Sequence, residues 1–189
     1  MSCTTVPKEL TSKLVRARTL IHPGAFNPVR IHSKRSPSAR HVRLLLQPGI
    51  SLFDGLVKPL AALGVKSAST TILGGVFDSL QYCVAPPDPT NQAVIAYSAP
   101  ITAGRSYMVF GNATLGKDAD GEPLVHCHAA IRTEDGWTKG GHILTRSTIV
   151  GVQPISVLVT ALDGFELRVV FDPETNISLI QPLEESSYE

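Results

Sequence analysis

The feature that most constrains this chain is the segment from Leu124 to Ile143, which gathers three of the six histidines around one hairpin signal. Successive side chains of an extended strand point to opposite faces, so His126 and His128 share a face and Cys127 takes the other. Asp135-Gly136 is a tight-turn pair that returns the chain antiparallel and carries His142 back beside them. Two registers are open. A two-residue loop, Asp135 and Gly136, pairs Glu134 with Trp137 and sets His142 opposite Ala129, on the wrong face unless a bulge at Gly140-Gly141 shifts it back. A three-residue loop, Glu134 to Gly136 with Gly136 left-handed, pairs Thr133 with Trp137 and sets His142 across from His128.

In the second register three imidazoles converge. Three neutral imidazoles bonded at ~2.0–2.1 Å suit zinc or another borderline divalent ion and leave a fourth position for water or a small ligand. The alternative is three ordinary half-buried strand histidines, each bonded to backbone or water.

The rest of the chain reads as support for such a sheet. His41 to Leu46 is a strand closed by Gln47-Pro-Gly49, and Ser51 caps a helix running to about Leu63. Leu52, Phe53, Leu56, Val57, Leu60 and Leu63 give that helix an apolar stripe at helical spacing. Pro59 inside it predicts a kink or two short helices. Strands are predicted at 68–77, 79–85, 93–97, 106–115, 124–133, 138–144, 148–162 and 165–171, separated by Gly, Asp and Pro clusters. Gly116 to Pro123 is a polar turn. The class is α+β, a mostly antiparallel β-sheet packed with one main helix.

Charge divides the chain unevenly. The net charge is +1, yet residues 1–53 hold nine Lys or Arg against the single Glu9. This predicts a basic N-terminal arm, residues 1–39, attached to a mildly acidic domain over 40–181 and a tail over 182–189. Residues 15–21 and 29–33 read as a basic hairpin about the turn chemistry of His22 to Pro28. Arg16, Arg18, Arg30, Lys34, Arg35 and Arg40 are the candidates for nucleic-acid or anion contact, because a guanidinium fork fits phosphate and carboxylate. Cys3, Cys83 and Cys127 have no paired spacing, so reduced thiols are expected and neither a disulfide framework nor a zinc ribbon follows. No secretory signal and no run of about 18 apolar residues occurs, so a soluble cytoplasmic protein without membrane contact is expected.

From Arg40 to about Gln181 the chain resembles the PPC domain family, the plant and prokaryote conserved domain also called DUF296 or PD1-like. The resemblance rests on Gln-Pro-Gly49, Gly104-Arg105, Asp120-Gly-Glu-Pro123 leading into His126-x-His128, Gly140-Gly-His142-Ile-Leu144, and Asp172-Pro-Glu-Thr-Asn176. It implies a homotrimer, with the three histidines serving as metal ligands in some members. Plant members join the domain to an Arg-Gly-Arg-Pro hook for AT-rich DNA, which this chain lacks. Their Gly-Arg-Phe-Glu-Ile-Leu segment, which serves protein partners, corresponds here to Gly104-Arg-Ser-Tyr-Met-Val109.

Two functional classes follow. One is a DNA-binding or regulatory protein whose arm contacts phosphate without reading bases. The other is a metal-dependent small-molecule binding protein or enzyme in which Arg105 or Lys139 helps a His-bound zinc hold an anionic ligand. Neither a Gly-x-Ser-x-Gly elbow nor a Gly-rich phosphate loop is present, and no acid is assigned as a general base.

Overall fold

A computed structural model describes residues 20–29 and 32–184. Its elements are β1 (Ala39–Leu46), α1 (Leu52–Ala62), β2 (Ala68–Ile72), β3 (Gly75–Cys83), β4 (Ile101–Lys117), β5 (Pro123–Thr133), β6 (Thr138–Ile143), β7 (Ile149–Val150), β8 (Ile155–Leu162), β9 (Phe165–Asp172) and β10 (Ile177–Glu184). The sheet runs in the order β1-β8-β2-β4-β5-β6-β3-β7 and is antiparallel throughout that path. The α+β class and the single helix are as expected. Among the described residues no helix is long and apolar enough to cross a membrane.

Strand alternation divides the sheet into two faces. On β5, Val125, Cys127 and Ile131 point inward and are buried, while His126 and His128 point outward. The inward face joins Ile72, Val157, Val159, Ala161 and Ile143 in one core, and α1 covers it with Leu52, Phe53, Leu56 and Leu60. Ser51 starts this helix by accepting the Asp54 backbone N–H at 3.0 Å. Pro59 does not split it. The proline removes the donor that would reach Gly55, yet the helix continues to Ala62 because its apolar stripe is fixed on the core.

β3 pairs with β4 on one edge and with β6 on the other, so the sheet curls and closes on itself beside the hairpin of β5 and β6. This nonlocal closure has no short-range signal. The C-terminal hairpin of β9 and β10 leaves the main path and meets it through the single parallel bridge Lys117↔Arg168. Lys117 and Arg168 both pair with Glu166 there, the first at 2.7 Å.

The fold departs from expectation at four places. Residues 93–97 form no strand; Asp88 instead ties the loop by accepting from the backbones of Thr90, Gln92 and Ala93 at 2.9–3.0 Å. The expected strand over 148–162 breaks after β7, because Gly151 lies against the Val76 carbonyl, where a Cβ would sit only 2.7 Å away, and Pro154 has no N–H to give a ladder. β10 was not anticipated and runs to Glu184, past the domain boundary expected at 181. The expected basic hairpin lies partly outside the described residues, and residues 20–29 contain no strand.

Candidate metal centre

The loop between β5 and β6 holds three residues. Thr133 donates its N–H to the Trp137 carbonyl at 3.0 Å, Gly136 donates to the Thr133 carbonyl at 2.9 Å, and Gly136 adopts φ +85°. Of the two registers open in the sequence this is the one that pairs His128 with His142. No bulge at Gly140-Gly141 is needed. Both glycines serve close approach instead: a Cβ at Gly141 would lie 2.4 Å from the Cys83 carbonyl oxygen.

The three rings therefore meet on the outward face. His126 and His128 bring their Nε2 atoms within 3.0 Å, and the ring centroids of His126 and His142 are 4.5 Å apart. One donor atom from each of the three histidines can be chosen so that all lie within 4.8 Å of one another. Nδ1 of His142 is buried and has no hydrogen-bond partner among the described residues, which for a buried polar atom is costly unless something else satisfies it.

Burial, followed by the proximity of His142 and His128, pushes the His126 imidazole down to about 4. Burial and His128 also hold His142 below the ordinary imidazole value. Both rings are then neutral at physiological pH, the state in which imidazole binds a metal. An orphaned buried nitrogen, three converging imidazoles and the neutrality of His126 and His142 together fit a divalent ion, and the all-nitrogen donor set suits zinc among borderline metals.

Two residues beside the cluster carried no local signal. Cys83 stands directly across from His142 in the pairing of β3 with β6, so the row Asn112, His128, His142, Cys83 crosses four strands on one face. Burial raises the Cys83 thiol, which keeps it protonated near neutrality. The Tyr97 ring packs against His142 with centroids 5.6 Å apart. Only the nonlocal pairing of β3 and the Asp88-tied loop bring these two residues to the site.

The cluster opens into a cleft of ≈ 920 Å³. β2, β4, β5 and β6 form its floor, the loop bearing Ile95 and Tyr97 one side, and the β9–β10 hairpin the far wall. The other expected ligand groups lie elsewhere. Arg105 sits 3.6 Å from Asp78 in a small hollow shared with Arg132 and Glu134. Lys139 lies opposite Ile131, so it points to the other face from the histidines, with its ammonium 5.5 Å from the Trp137 ring centroid.

The arm candidates are likewise separate from the cleft. Arg40 lies on β1 and pairs with Asp163 at 2.9 Å while also donating to the Leu63 carbonyl at 3.0 Å. Lys34 pairs with Glu184. Arg35 is exposed. Arg16, Arg18 and Arg30 lie outside the described residues. Segment 20–29 is held on the turn between β9 and β10, where Glu174 accepts from Nδ1 of His22 and from the backbone of Asn27, each at 2.8 Å.

Comparison with known proteins agrees with this architecture. The sequence pattern of the Plants and Prokaryotes Conserved (PCC) domain matches residues 33–163. A metal-containing protein of Archaeoglobus fulgidus superposes with a TM-score of 0.61 at 19% identity, covering 80% of this chain and 98% of its own. A protein of Ralstonia eutropha, named as a candidate DNA-binding protein, gives 0.59 at 18% identity, covering 82% and 98%. A plant- and prokaryote-conserved protein of Pyrococcus horikoshii gives 0.57 at 17% identity, again covering 82% and 98%. No curated protein matches the chain.

Proposed function

The chain belongs to the Plants and Prokaryotes Conserved domain family, and from that premise we propose that it is a metal-dependent small-molecule binding protein. The observation that carries this reading is the convergence of His126, His128 and His142 within 4.8 Å at the floor of a cleft. The three imidazoles would hold one divalent ion, zinc, which would supply Lewis acidity beside the cleft. Tyr97 packs against His142, and Cys83 stands across from it on the same face of the cleft. The metal-containing relative from Archaeoglobus fulgidus supports this reading. The working unit is a cytoplasmic homotrimer.

Metal content of the tag-free protein, measured by plasma mass spectrometry beside His126→Ala, is the test. About one equivalent of zinc per chain is expected in the wild type, and a large loss in the variant. Metal-free wild type that is still folded overturns the reading.

A second reading is favoured by a different observation, the cation excess of residues 1–53 together with the names of relatives as candidate DNA-binding proteins. In it, Arg16, Arg18, Arg30 and Arg35 supply phosphate contacts without base readout, while Lys34 and Arg40 already have carboxylate partners. Salt-titrated binding to duplex DNA, with and without residues 1–39, tests it. Binding that weakens steeply with salt and vanishes with the arm supports it; binding that survives the deletion overturns it.

A further inference from the structure

The walls of the histidine cleft are unlike those of an anion site. Among the described residues, none of those lining it is Lys, Arg, Asp or Glu. A phosphate or dicarboxylate recognised through several charged groups needs cationic or multiply donating partners, and a second anionic group placed here would lose hydration without compensation. Arg105 and Lys139, which would have supplied such partners, lie outside the cleft. The far wall instead presents Leu167, Val169 and Ile180, which share one face of the β9–β10 hairpin, and β8 closes the end with Leu162. Of the polar lining groups, Ser69 and Thr114 lie on the sheet side, Tyr97 on the side loop and Ser178 on β10 beside the aliphatic residues. A volume of ≈ 920 Å³ falls in the range of small-molecule sites, about 300–1,000 Å³.

We propose that the cleft takes an amphiphilic small molecule with one metal-binding head at the three histidines and an aliphatic body laid along the β9–β10 wall. This rests on the metal reading above and names the ligand class of that same site. The arm does not fill the cleft within its described part, because residues 20–29 are held on the turn between β9 and β10 by Glu174.

The probes are acetohydroxamate, hexanohydroxamate and decanohydroxamate, with phosphate and malonate as polar controls. Each is titrated by calorimetry into the zinc-loaded full chain after its metal content has been measured. Affinity should rise about three- to fourfold per added methylene until the tail leaves the wall, and the two controls should bind weakly or not at all. Ser69→Glu and Ser178→Glu put a carboxylate on opposite walls at exposed positions. Each should weaken decanohydroxamate about tenfold or more while leaving zinc content and acetohydroxamate affinity unchanged. Zinc-loaded protein with equal affinity along the series, or with phosphate or malonate bound as tightly as decanohydroxamate, overturns the ligand class alone. Folded protein that takes up no zinc overturns the metal reading and this inference together.

Discussion

His128 and His142 face each other directly across the hairpin of β5 and β6, with His126 beside them on the same outward face. Their pairing depends on the three-residue loop at Glu134 to Gly136. One residue fewer would turn His142 toward the core, because side chains alternate with period two. The buried face of the same strands fixes this arrangement further, since slipping β5 by one residue would expose Cys127 and Ile131 and bury two imidazoles.

Gly141→Ala should damage the site without touching a ligand. Its Cβ would stand 2.4 Å from the Cys83 carbonyl oxygen and 3.0 Å from the Tyr82 ring, so β6 must part from β3 and carry the next residue, His142, with it. We expect a loss of about 1–3 kcal/mol in urea unfolding and a fall of about tenfold or more in zinc affinity. Gly136→Ala is the matched control. It strains the left-handed loop position by about 1 kcal/mol, yet it has no such clash near the histidines and should retain zinc.

Stability and metal binding should separate when the opposite face is altered. Leu60 is fully buried on the inner face of α1, so Leu60→Ala should cost about 2–5 kcal/mol. Ser51→Ala, which removes the helix cap, should cost about 1 kcal/mol. In both variants the zinc content of the folded protein should match that of the wild type, because α1 covers the face away from the imidazoles. Urea titration and plasma mass spectrometry on the same preparations check the pair.

Local signals carried much of this architecture, and the failures have a common cause. The alternation through His126, Cys127 and His128, the Asp135-Gly136 turn and the helix stripe from Leu52 to Leu60 are short-range patterns, and each appears in the fold as read. The register at residues 134–136 was open because either loop length suits the same sequence; only cross-strand burial chooses between them. Cys83 and Tyr97 were invisible as site residues because their approach to His142 depends on β3 pairing at long range and on a loop tied by Asp88. Lys139 is close to the histidines in sequence, which on a strand says little about which face a side chain occupies, and Arg105, singled out through the Gly104-Arg105 element of the resemblance, lies beside Asp78 instead.

Glu174 should govern how the arm is held. Its carboxylate is 4% exposed and accepts from His22 and Asn27. Glu174→Ala should therefore release segment 20–29 and cost about 1–3 kcal/mol by leaving those donors without their acceptor. Limited proteolysis should cut between residues 20 and 29 faster in the variant, whereas zinc content should not change. An unchanged cleavage rate would mean that the Gly24 N–H bond to the Glu174 carbonyl, 2.9 Å, suffices to hold the segment.

The metal-free protein should lose stability as pH falls through a defined window. In the fold, burial and two neighbouring imidazoles hold His126 at about 4, whereas in the unfolded chain a histidine titrates near 6.5. Between these values the unfolded state binds the extra proton, so its free energy drops relative to the fold as pH decreases. The contribution of His126 is complete above about pH 6.5, declines toward pH 4 and is level below that. His142, also lowered, acts in the same direction. Carboxylates such as Glu166, held below their usual range by burial-offset pairing with Lys117 and Arg168, lose their contribution at lower pH, so the comparison must be between proteins rather than between pH values alone. His126→Asn should show a shallower decline in urea midpoint between about pH 7 and pH 4.5 than the wild type. With zinc bound, the ligating imidazoles take up no proton in the fold while those of the unfolded chain still titrate near 6.5, so the loaded wild type, although more stable, should lose stability with falling pH at least as steeply as the metal-free protein. Parallel curves for wild type and variant in the metal-free state would show that His126 is not held neutral by its surroundings.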